Sequence, residues 1–232
     1  STENRNRLLI EVIKAVRAAV GDDNFAVGVR LPNEDHVPGG LTPDLVRGIA
    51  EAIDPLVDYT SLHMGAYWRF HKLVPPTDEP LGVEMPANNL ITPGITKPTI
   101  VVGRIATLDH ANHIVTSGQG DMVSMVRALM ADPELVNKAK RGDEARIRPC
   151  LGTNQGCVGR SFQGLGLSCV VNVANGREAE VSLEAEGRTD NPKDILVVGG
   201  GPAGMQFARA ATLRGHRVTI HEATKKLGGQ IN

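Results

Sequence analysis

The chain has 232 residues, 41% of them hydrophobic and 22% charged, the composition of a soluble globular protein long enough to bury a sizeable core. A net charge of −1 gives no electrostatic footprint for nucleic acid or an anionic membrane, and aromatics at 3% are too few for a base-stacking surface. No apolar run approaches a membrane span and no secretory signal opens the chain, so the expected location is cytoplasmic.

In chain order, Leu8, Leu9, Val12, Ile13, Val16 and Val20 repeat at helical spacing, and Gly21 supplies a stop. A short apolar strand is predicted over Phe25–Leu31, then a helix from Thr42 to Ala52 with Thr42 as its cap. Leu56–Met64 reads as a second strand. The stretch from Gly65 to Lys97 is polar, proline-rich and irregular. Pro98–Gly103 is the third strand, Leu108–Ser117 a helix, Asp121–Val126 the fourth strand and Pro133–Lys140 a helix. This β/α alternation points to a parallel sheet covered by helices. Arg30, His63, Gly103, Arg104 and Arg127 all fall at or just past the C-terminal end of a strand. In a barrel of β/α units those ends form the active-site face.

Cys150, Cys157 and Cys169 are the only cysteines, separated by six and eleven residues. A tight set of thiols in a cytosolic chain points to metal or redox chemistry, an iron–sulfur cluster among the options. Zinc with a fourth ligand and a structural set of buried thiols stay open on these residues alone. A charged, irregular linker from Glu178 to Pro192 follows and is the best domain boundary in the chain.

Asp194–Val198 then reads as a buried parallel strand running into Gly199, Gly200, Gly201, Pro202, Ala203 and Gly204. A helix is expected over Met205–Arg214, with a second strand over Arg217–His221 that ends at Glu222. Gly199, Gly201 and Gly204 match G-x-G-x-x-G: a tight turn, a close approach to pyrophosphate, and close helix–strand packing. The helix N-terminus offers amides and a positive dipole end to phosphate. Glu222, twenty-one positions past Gly201, is placed to accept hydrogen bonds from a ribose. The chain opens on Ser1 rather than Met and stops within a motif, so it reads as an internal fragment of a longer protein.

Taken together, the chain resembles the old-yellow-enzyme-like NADH:flavin oxidoreductases that join a barrel to a C-terminal FAD/NAD(P) domain, the 2,4-dienoyl-CoA reductase, trimethylamine dehydrogenase and N-demethylase type. The motifs that carry this are Glu3-Asn4-Arg5, Val27–Leu31, Asp121–Met125 leading to Arg127 and Ala131-Asp132-Pro133, Arg148–Gly152, Asn154–Cys157, and Leu227-Gly228-Gly229-Gln230. The resemblance implies an α/β fold: the C-terminal half of a (β/α)8 TIM barrel (strands five to eight) over residues 1–147, and a cluster segment over 148–178. A linker over 179–193 and an incomplete Rossmann-like domain over 194–232 complete it. It implies FMN held by Arg30, Gly103, Arg104 and Arg127, and FAD or ADP held by Gly199–Gly204, Glu222 and Gln230. A [4Fe–4S] cluster would sit on Cys150, Cys157 and Cys169, with Thr153 standing where relatives have a further cysteine.

The implied function is electron transfer from NAD(P)H through FAD and the cluster to FMN, which reduces an activated alkene. Oxidative N-demethylation or amine dehydrogenation is the alternative, and a non-catalytic electron-transfer or binding module the reading of another class. The implied partners are a small-molecule substrate and an electron-transfer protein. The main catalytic groups would lie upstream of Ser1, leaving His63 and Tyr67 as the catalytic candidates within the chain. Four β/α units cannot close an eight-stranded barrel, so the chain by itself is expected to expose sheet edges, aggregate and be inactive.

Overall fold

The computed structural model describes residues 2–181 and 187–231, so part of the linker expected over 179–193 lies outside the described residues. The chain divides into two compact units, Ser1–Asn172 and Val173–Asn232.

In the first unit, helix α1 (Thr2–Val20) stops where Gly21 turns left-handed at φ 61° and donates its amide back to the Arg17 carbonyl at 3.0 Å. Strand β1 (Gly28–Pro32) leads to helix α2 (Pro43–Ile53), which Thr42 caps by accepting from the Leu45 amide at 3.5 Å, with Pro43 pre-set at the first helical position. A 3-10 turn then enters strand β2 (Tyr59–His63). The stretch expected to be irregular holds a 3-10 turn at Tyr67–Arg69, helix α3 (Phe70–Leu73) and helix α4 (Met85–Ile91). Strand β3 (Thr99–Val101), helix α5 (Leu108–Thr116) and strand β4 (Met122–Val123) follow, then helices α6 (Val126–Ala131), α7 (Leu135–Lys140) and α8 (Val158–Ser161).

Two sequence expectations are corrected. The fourth strand does not run to Val126: the Ser124 amide makes a last bond to the Val101 carbonyl, and the Leu129 amide already bonds back to Met125, so Val126 opens a helix. The apolar stripe of α1 is also split. Ile13 is buried and Leu9 and Ile10 pack on the core, whereas Leu8 and Val12 are exposed.

The four strands form one parallel sheet in the order β1-β2-β3-β4, the arrangement that helical crossovers impose. Within the described residues β1 and β4 are its edges. The α2 face buries Val46, Ile49, Ala50 and Ile53, at i, i+3, i+4 and i+7, against Leu31, Leu62 and Ile91. Full burial of a Leu or Ile side chain stabilises by roughly 1.5–3 kcal/mol, so this cluster anchors the sheet. A second cluster, Met85, Val101, Ile105, Ala111 and Ile114, fixes α4 and α5 around β3. All four strand C-termini consequently open on one side.

The second unit is a parallel βαβ. Strand β5 (Asp194–Val198) pairs over its whole length with β6 (Arg217–His221), and helix α9 (Pro202–Leu213) is the crossover, packing through Ala208 and Ala211. Leu196 and Val198 stand exposed on one face of β5.

Candidate functional site

The parallel sheet carries Arg30 on β1, His63 at the end of β2, Gly103 and Arg104 just after β3, and Arg127 in the first turn of α6. Arg30, Arg104 and Arg127 line one cavity of about 300 Å³ together with Glu84, Cys150 and Cys157. Glycine is required at 103 because a Cβ there would sit 2.9 Å from Glu84 Cβ, at the start of α4. Arg104 takes a left-handed φ of 49°, and its guanidinium donates to the Glu79 carbonyl.

Arg127 is held from two sides. It donates to the Pro75 carbonyl at 2.6 Å and to Asn154 Oδ1 at 2.9 Å, and Asn154 in turn donates to the Val74 carbonyl at 2.9 Å. The loop after β2 and the cysteine loop are thereby tied together through one guanidinium. Burial pushes the Arg127 pKa down, opposed by the facing thiols of Cys150 and Cys157 and reinforced by the neighbouring Arg104. Among the described residues none of the three arginines makes a salt bridge. Three guanidiniums converging without carboxylate pairing suit a ligand that brings its own negative charge.

Glu84, which the sequence reading did not single out, is 2% exposed and its Oε2 has no partner. Burial raises its pKa to about 7, against the Met64 amide and the charges of Arg127 and Arg30, which pull it down. The folded value lies above the ordinary glutamate value of 4.5, so the contribution of the neutral carboxyl is complete below pH ~4.5 and lost as pH rises through ~7. Glu84→Gln is expected to remove that loss, so urea midpoints of the variant stay level between pH 5 and pH 8 while the wild type declines. The local signal in the sequence was Pro86, which marks a helix start beside Glu84.

His63 and Tyr67 come together with Arg30, Asp35, Trp68 and Leu73 around a second cavity of about 380 Å³. Burial lowers the His63 pKa and Arg30 acts in the same sense, against the Met64 carbonyl and Asp35, so the ring is neutral at pH 7. Tyr67 and Trp68 are 80% and 75% exposed at the cavity mouth. Arg30 lines both cavities.

The three cysteines are free and half-buried. Cys150 and Cys157 face Arg127, whereas Cys169 lies beside Gly156, where an added Cβ would meet Cys169 Cα at 3.1 Å. Among the described residues no three His, Cys, Asp or Glu side chains converge to hold a metal ion, and Thr153 is exposed. As placed, the thiols do not make up the donor set of a cluster.

The glycine loop of the second unit is assembled as a nucleotide cradle. Gly199 adopts φ 99° and Gly201 caps α9. A Cβ on Gly204 would lie 2.0 Å from the Gly199 carbonyl oxygen, which no side chain tolerates. The Glu222 carboxylate accepts from the Gly200 amide at 2.7 Å and the Thr224 amide at 2.9 Å, bonds that hold its pKa down. Gln230 sits in a 3-10 turn that follows a bond from the Gly228 amide to the Gly200 carbonyl at 2.8 Å, so the closing Leu227–Gln230 motif folds back on the loop. Gly204→Ala is expected to weaken dinucleotide binding at least tenfold in a fluorescence titration, because α9 must shift off the loop to admit a methyl group.

This combination, a parallel β/α sheet with arginines at its C-terminal ends and a glycine-loop βαβ unit, defines a flavin- and dinucleotide-type enzyme scaffold. Residues 1–145 match the NADH:flavin oxidoreductase / NADH oxidase family, and residues 197–232 match an NAD(P)-binding Rossmann-like domain. The chain belongs to the NADH:flavin oxidoreductase / NADH oxidase family. It is 40% identical over 96% of its length to a metal reductase of Desulforamulus reducens, covering 33% of that protein. It is 38% identical over its full length to an N,N-dimethylglycine/sarcosine dehydrogenase of Chromohalobacter salexigens, covering 34% of it. In structure it resembles a 2-naphthoyl-CoA reductase with a TM-score of 0.90 at 32% identity, covering all of this chain and 35% of that one. The chain thus spans about a third of the length of the relatives it matches. No helix among the described residues is long and apolar enough to cross a membrane.

Proposed function

We propose that the chain supplies the flavin-phosphate side of an FMN-dependent oxidoreductase and the nucleotide cradle that serves it. The observation that carries this is the convergence of Arg30, Arg104 and Arg127, none of them in a salt bridge among the described residues, in one cavity at the strand C-termini that Glu84 also lines. Gly103, Arg104 and Arg127 would hold the FMN phosphate, the position favoured for phosphate in such barrels. Arg30 would lie toward the pyrimidine edge, where positive charge stabilises a reduced, anionic flavin. When bound, the flavin supplies hydride and single-electron chemistry. Gly199–Gly204, Glu222 and Gln230 would hold the ADP portion of FAD or NAD(P)H.

The substrate of this reading is an activated alkene, supported by the likeness to a 2-naphthoyl-CoA reductase. Oxidation of a small amine is a second reading, favoured by the exposed Tyr67 and Trp68 at the mouth of the His63 cavity, since aromatic faces attract cations. His63, neutral and half-buried, is a group that can exchange a proton with substrate there, beside Tyr67. A further part of the reading is an iron–sulfur cluster on Cys150, Cys157 and Cys169, although the three thiols do not converge among the described residues. Iron and sulfide per chain after anaerobic purification is the check: about three to four iron per chain supports the cluster, and iron-free protein removes it.

The test of function is flavin content followed by stopped-flow spectroscopy of the protein that carries this chain. Reoxidation of the reduced flavin by enoyl thioesters supports alkene reduction, and bleaching of the oxidised flavin by methylated amines supports amine oxidation. Protein that binds no FMN overturns both.

A further inference from the structure

Glu84 is a buried acid with an unused oxygen in a cavity of arginines. One carboxylate oxygen accepts from the Met64 amide, while Oε2 has no partner among the described residues, and the side chain is one of the most deeply buried in the molecule. An unsatisfied buried oxygen carries a desolvation penalty that folding alone does not require. The backbone around it is fixed by a buried network. Asn33 Nδ2 reaches the Glu84 carbonyl and Asn88 Oδ1 at 2.8 Å, and Asn88 Nδ2 reaches the Val102 carbonyl at 3.3 Å. Glu84 therefore lines the cavity on a fixed backbone rather than through loose packing.

The groups around it come from four further parts of the sheet and its helices. Arg30 on β1 and Arg127 on α6 act on it as charges, Arg104 after β3 shares the cavity, and His63 on β2 shares Met64 with it as a hydrogen-bond partner. Cys150 and Cys157 line the same cavity and face Arg127. In the free chain the two arginines favour the carboxylate and burial favours the neutral acid. A phosphate-bearing ligand changes that balance. It takes over the arginines and brings negative charge next to Glu84, and a neutral carboxyl then has an O–H to donate.

We propose that Glu84 is a specificity residue of the flavin pocket: its free Oε2 donates a hydrogen bond to the phosphate-bearing chain of the bound flavin, and one proton is taken up as that chain binds. The proton comes from solvent and resides on Oε2; no other bond is made or broken. This rests on the assignment of the cavity to FMN.

The experiment is calorimetric titration of FMN into flavin-depleted protein, with the proton count taken from buffers of different ionisation enthalpy. It is run between pH 7 and pH 8.5, where the ligand phosphate is already a dianion. Wild-type protein is expected to take up between about half and one proton per FMN. Its Kd should rise by up to about tenfold per pH unit above pH ~7, the slope of one linked proton. Glu84→Gln, which keeps the acceptor for Met64, is expected to take up none and to show a level Kd. Riboflavin, which lacks the phosphate, is expected to bind wild-type protein without proton uptake. Equal uptake by wild type and Glu84→Gln, or no uptake by wild type, overturns the proposal while leaving FMN binding intact. Failure of wild type to bind FMN overturns the flavin assignment itself. Should Glu84→Gln not fold, the pH slope of the wild-type Kd decides alone, a flat profile counting against the proposal.

Discussion

Arg127→Ala is expected to lower FMN affinity by about two to three orders of magnitude. Truncating one partner of a buried, charge-assisted contact costs roughly 2–5 kcal/mol, at about 1.4 kcal/mol per tenfold in Kd. The middle of that range or above applies because Arg127 does two things at once. It offers charge to the ligand, and it bridges the Pro75 carbonyl and Asn154 Oδ1, which sit in different loops. Arg127→Lys retains the charge but not the planar fork, so it is expected to recover only a minor part of the affinity. The measurement is fluorescence quenching of added FMN, with Arg104→Ala as comparison. Equal affinities for wild type and Arg127→Ala would place the phosphate elsewhere.

Lys138→Met is expected to destabilise the first unit by about 3–5 kcal/mol, the cost of leaving a buried charge unpaired. Lys138 Nζ lies 2.7 Å from Asp132 Oδ2, with side chains only 6% and 1% exposed. It also donates to the Arg146 carbonyl at 3.1 Å, while Asp132 Oδ2 accepts from the Arg148 amide at 2.9 Å and Oδ1 from the Glu134 amide at 3.1 Å. Burial works against the Asp132 carboxylate, but Lys138 and these amides outweigh it and hold its pKa below 3.8. The stabilisation is therefore present above pH ~4 and lost as pH falls through the depressed value. Combining Lys138→Met with Asp132→Asn should recover a large part of the loss at pH 7, because the neutral amide oxygen still accepts from the backbone. Denaturant unfolding of the single and double variants is the measurement, and full additivity would show that the pair is not coupled. The same node fixes residues 146–148, where the chain turns toward Cys150. The single variant is accordingly expected to loosen the cysteine loop, seen as faster alkylation of Cys150.

Several features were legible because their physics is local. Thr42 caps α2 by accepting from an amide three residues on, and Gly21 ends α1 by a backbone angle open to glycine. The β/α alternation fixed a parallel sheet, and with it the side on which Arg30, His63, Arg104 and Arg127 emerge. Helix α4 went unread because the Pro and polar residues of 65–97 mask a single buried face, Met85, Asn88 and Ile91. The convergence of thiols implied by the family resemblance was not realised among the described residues; spacing along a loop says nothing about where its side chains meet in space.

The sequence by itself determined the glycine cradle of the second unit. Gly199 is demanded by its φ of 99° and Gly204 by a 2.0 Å approach of the Gly199 carbonyl, constraints set within six residues. Only the tertiary structure decided the character of the cavity in the first unit. Arg127 is fixed by partners 27 and 52 residues away. Glu84 owes its near-neutral pKa to burial, and depth in the fold is a property of the whole assembly rather than of any window of the chain.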